Sequence, residues 1–61
     1  MEALEPEYRA LLEAVDYAPT DVDTLVERTR MPVSAVASML LILELQGYVE
    51  SAPGAGYTRL R

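Results

Sequence analysis

The sequence predicts a mainly α fold with a small β-hairpin: three helices and a two- or three-stranded wing, the winged helix-turn-helix arrangement. Three observations carry that expectation. Pro6, Asp21 and Pro32 each open a stretch whose apolar residues recur at helical spacing. Only Arg30, Met31 and Pro32 separate the second stretch from the third, the short link of a helix-turn-helix. The last dozen residues read as two strands around Pro53-Gly54-Ala55-Gly56.

Helix one is expected over Leu4 to Val15. Pro6 suits the first turn, where its missing N–H costs nothing. Glu5 and Glu7 lie at the positive end of the helix dipole. Leu4, Tyr8, Leu11, Leu12 and Val15 make its apolar stripe, and Pro19 disfavours helix at Ala18. Helix two is expected over Val22 to Thr29, capped by Asp21, whose carboxylate would accept from the N–H of Asp23 or Thr24. Two turns of helix cannot stand without tertiary packing. The link has Arg30 where a glycine is usual, at a cost of about 1 kcal/mol if the backbone there is left-handed. Helix three is expected over Val33 to Gln46, with Gly47 as its left-handed stop. Strands follow at Tyr48 to Ala52 and Tyr57 to Leu60, and Pro19 to Asp21 can supply a third.

Composition narrows the rest. The chain of 61 residues is one domain, 51% apolar, which suffices for a small core. A chain this short buries only about 60% of its unfolded surface, so its stability margin is small. It has no Cys and no His, which removes a disulfide framework and makes a zinc staple implausible. No apolar run reaches the ~18 residues of a membrane span, and no signal peptide is visible; no membrane role and a cytoplasmic location are expected. Ten acids face five Arg and no Lys, giving −5, the opposite of the basic stripe that supplies most of the affinity in nucleic-acid binding.

Helix three holds two apolar surfaces. Val33, Val36, Leu40 and Leu43 form the expected inward face. Leu41, Ile42 and Leu45 lie on the other side. Helix one can cover them through Leu4 or Tyr8, making them core. Otherwise three large exposed aliphatics mark an interface.

Asp21 to Leu60 carries a more specific pattern. It comprises Asp23-Thr24-Leu25, Glu27-Arg28-Thr29, Pro32-Val33 with Val36, Leu40-Leu41 with Leu43 and Leu45, Gly47-Tyr48-Val49-Glu50, a Pro53-Gly54 turn and Tyr57. This pattern resembles the C-terminal winged-helix domain of the DNA-processing DprA (Smf) family. Arg30 in the link and Ile42 at a usually polar position depart from it. The resemblance implies a module appended to a larger Rossmann-like domain that binds single-stranded DNA and helps load RecA in natural transformation. Residues 1–61 would then be a single winged-helix domain, a C-terminal fragment of a longer chain.

No chemistry of catalysis is visible: Ser34, Ser38 and Ser51 have no base, and Asp21-Val22-Asp23 lacks further calcium ligands. No enzyme activity and no cofactor or metal are expected. Candidate DNA contacts are Ser34 and Ser38 on helix three, Arg28 and Arg30 near the link, and Arg59 and Arg61 on the wing. The arginines can equally be solvated or paired with Glu27 or Glu50. On the solvent side of helix three, Ser34, Ala35, Ser38, Ile42 and Leu45 include no side chain able to make the bidentate base contacts of Arg, Asn or Gln. The candidate protein interface is Leu41, Ile42 and Leu45. Its possible partners are the upstream Rossmann-like domain, a second copy, or a recombination protein, with weak or no DNA binding by the domain alone. The alternative is a DNA-binding module of a small transcriptional regulator. Tyr8, Tyr48 and Tyr57 are expected to pack their rings against the core, and Tyr17 to be exposed.

Overall fold

The computed structural model describes residues 5–61. Leu4, assigned above to helix one and to the cover of helix three, lies outside the described residues. Three helices, α1 (Pro6–Ala14), α2 (Val22–Thr29) and α3 (Val33–Leu45), precede strands β1 (Val49–Ala52) and β2 (Gly56–Arg59). The strands form an antiparallel hairpin in which Val49 pairs with Arg59 and Ala52 with Gly56. This is the three-helix winged architecture expected from sequence, with strand ends shifted by one residue.

Each boundary has a local cause. Pro6 occupies the first turn of α1, and the helix ends at Val15, whose N–H donates to the carbonyls of Leu11 and Leu12. The Asp21 carboxylate accepts from the Thr24 N–H at 2.8 Å, and hydrogen bonding to the Thr24 side chain and then to its backbone holds the Asp21 pKa below the ordinary aspartate value. Arg30 ends α2 with φ 63 and ψ 21, a left-handed residue with a side chain. At the end of α3, the Tyr48 N–H donates to the Leu43 carbonyl and the Gly47 N–H to that of Glu44. With Gly47 at φ 82, this is a Schellman stop, and Tyr48 packs against the core cluster that contains Leu43.

The core is Leu11, Leu12, Val15, Leu25, Val36, Met39, Leu40, Leu43 and Val49. Tyr8, Tyr48 and Tyr57 pack against it and Tyr17 is exposed, as the sequence suggested. Val33 is a correction: expected inside, it is 58% exposed. The buried stripe of α3 is Val36, Met39, Leu40 and Leu43. That i, i+3, i+4, i+7 spacing centres the inward face one step round the helix from Val33.

The expected third strand is reduced to one bridge, in which Thr20 and Tyr57 exchange N–H···O bonds of 2.8 Å in both directions. Thr20 is buried, and its hydroxyl donates to the Ala18 carbonyl and accepts from the Asp16 N–H. Gly56 makes this docking possible. A Cβ there would lie 2.3 Å from the Thr20 carbonyl oxygen, and φ is +109.

Candidate functional site

Two groups of candidate side chains end in different environments. Leu41 and Leu45 project to solvent from α3, 56% and 79% exposed, with Ile42 at 39% on their flank. The cover expected from helix one through Tyr8 leaves them exposed. Ser34 and Ser38 are exposed on the same helix, whereas Ala35, expected on the solvent side, is half-buried. Ser34, Ser38, Leu41 and Leu45 are spaced by four, three and four residues, so they form one line along the outer face of α3. Val33 and Ala37 border that line; reading Val33 as core from sequence concealed the border. The only charge on α3, Glu44, is half-buried, and its carboxylate accepts from the Ser51 hydroxyl at 3.1 Å. The outer face is therefore free of charge over the whole helix.

The candidate arginines are mostly engaged elsewhere. Arg28 donates to the Ala14 carbonyl at 2.7 Å and pairs with Asp16 at 3.1 Å, closing the end of α1. Asp16 thus takes the place of Glu27 or Glu50, the partners considered from sequence. The Arg59 backbone N–H donates to the Asp16 carbonyl, and its guanidinium lies 5.3 Å from the centre of the Tyr17 ring. Arg61 lies 5.5 Å from the centre of the Tyr48 ring. Both distances suit a cation–π contact. Arg30 is exposed at the link, beside an open depression lined by Val26, Glu27, Met31 and Pro32. The fold therefore brings Arg28 and the Arg59 backbone together at Asp16, with the Arg59 guanidinium beside the neighbouring Tyr17 ring.

A family model for the DprA winged helix domain matches residues 1–55. The chain belongs to the DprA winged-helix domain family. Protein Smf of Synechocystis sp. is 40% identical over 58 residues, covering 95% of this chain and 15% of that protein. Protein Smf of Escherichia coli strain K12 is 47% identical over 51 residues, covering 84% of this chain and 13% of that protein. The chain thus spans 13–15% of the length of these curated relatives. No solved structure matches it significantly.

In this DprA winged-helix domain the third helix stands where other helix-turn-helix modules place a recognition helix. Its outer face offers two hydroxyls and three aliphatic side chains. Such a face can pack against an apolar surface. It cannot make bidentate contacts to bases. Among the described residues, no helix is long and apolar enough to cross a membrane, and no cluster of three or more His, Cys, Asp or Glu could hold a metal ion.

Proposed function

We propose that this domain is a non-catalytic interaction module of a DprA-type DNA-processing protein, acting in natural transformation and RecA loading on single-stranded DNA. It contacts protein rather than DNA, through Leu41, Ile42 and Leu45 on α3. It works joined to a larger Rossmann-like domain that carries the main DNA site. The family membership and the small share of the relatives' length that the chain spans support the reading of an appended module.

The observation that carries the choice of partner is the uncharged, aliphatic outer face of α3 on a molecule of net charge −5. A DNA reader needs cations there, because phosphate neutralisation supplies most of the affinity and bidentate side chains supply the specificity. Titrating a labelled duplex with the domain at low salt tests the reading by fluorescence anisotropy. Weak or absent binding is expected. Tight binding that falls when Ser34, Ser38 or Arg30 is replaced by Ala would establish a DNA module of the regulator type instead.

A further inference from the structure

We infer that the outer face of α3 is built to meet a second copy of itself, in an antiparallel two-fold contact. The inference rests on the protein-contact reading above and names the partner.

Self-complementarity is the argument. A two-fold interface must use one patch on both copies, so residue i meets j while j meets i. The outer line of α3 is Ser34, Ser38, Leu41 and Leu45, all exposed. Its four–three–four spacing is that of a helix–helix seam. Set antiparallel about a centre between Ser38 and Leu41, Ser34 falls opposite Leu45 of the second copy, and Ser38 opposite its Leu41. Every layer then sets a small side chain against a large one, the arrangement that lets two helices approach and interdigitate. A parallel pairing would set leucine on leucine and serine on serine, leaving one half crowded and the other half loose.

Charge at the seam permits the same occupant. Each copy carries −5, yet the seam bears no charge and Glu44 is turned to Ser51. Two copies can therefore meet along α3 without setting acid against acid. The remaining repulsion is long-range, and salt screens it over a Debye length of about 8 Å at physiological ionic strength. Self-association should therefore strengthen as salt is added, the opposite of DNA binding. The seam is only about 17 Å long at a rise of ~1.5 Å per residue. That is the small end of specific interfaces, so the contact is a weak one.

Sedimentation equilibrium of the 61-residue chain over increasing concentration and at two salt levels tests this. The expected result is a mass rising from 6.7 kDa towards twice that value, and rising further at higher salt. Leu41→Glu and Ser38→Lys should each remain monomeric and folded. Mixing the two variants should restore the dimer, because the introduced ammonium of one then faces the introduced carboxylate of the other across the seam. A wild-type chain that stays monomeric throughout, or a mixture that fails to associate, overturns the two-fold contact. The broader protein-contact reading fails separately: duplex DNA added to that monomer would have to shift the amide signals of Ser34, Ser38 and Leu41.

Discussion

Asp16 and Leu41 both lie at the surface, and the regions around them are built in opposite ways. Around Asp16 nearly every polar group has a partner. Its N–H donates to Thr20, its carbonyl accepts from Arg59, and its carboxylate pairs with Arg28, which also holds the Ala14 carbonyl. These bonds tie the end of α1 to α2 and to the wing. Around Leu41 the outer face of α3 has no polar partner and no apolar cover among the described residues, and its leucines are exposed. The first region uses its chemistry to close the fold. The second leaves its chemistry available for contact with another molecule.

That contrast can be broken from the fold side first. Leu40 is fully buried one residue from exposed Leu41. Leu40→Ala should cost about 2–5 kcal/mol. A domain of this size holds roughly 3–9 kcal/mol in all, so thermal unfolding should show the variant largely unfolded or close to it. Gly56→Ala comes next. Its methyl group meets the Thr20 backbone, and the residue is held at a positive φ, so about 2–3 kcal/mol should be lost. Hydrogen exchange should show Thr20 and Tyr57 losing protection before the core does.

A smaller effect, of opposite sign, is expected at the link. Arg30 holds a left-handed backbone at φ 63. Arg30→Gly should stabilise the domain by about 1 kcal/mol in a denaturant titration. The smallest fold-side effect is at Asp21, whose folded pKa is lowered by its bonds to Thr24. Its contribution is complete above the ordinary aspartate pKa of about 3.9 and is lost as pH falls through the lowered folded value. Asp21→Asn keeps a capping oxygen without titrating, so the acid limb of its stability curve should be flatter than that of the parent chain.

The two regions also differ in how much of them the sequence discloses. The helices, the Asp21 cap and the Gly47 stop were legible because each rests on local chemistry: a proline, a carboxylate, a glycine at the end of a periodic run. The Asp16 hub was not, because Arg28 and Asp16 meet only after α1 and α2 pack. Spacing along one helix says nothing about a partner on another. On α3 the difficulty was different. The helix is apolar on nearly every side, so its periodicity is weak and Val33 and Met39 exchange places between expectation and structure. That Leu41 and Leu45 lie outside the core was suggested by their position opposite Val36 and Leu40. Their exposure depended on how far α1 reaches over α3, which no local pattern encodes.

If α3 carries two separate surfaces, its outer leucines add little to the stability of the core. Thermal unfolding of the Leu41→Asp/Leu45→Asp double variant, at concentrations below self-association, tests it most directly. A cooperative transition within about 4–8 °C of the parent is expected, the shift that ~1 kcal/mol produces in a domain of this size. Loss of the transition, on the scale expected for Leu40→Ala, would place Leu41 and Leu45 in the core and contradict it.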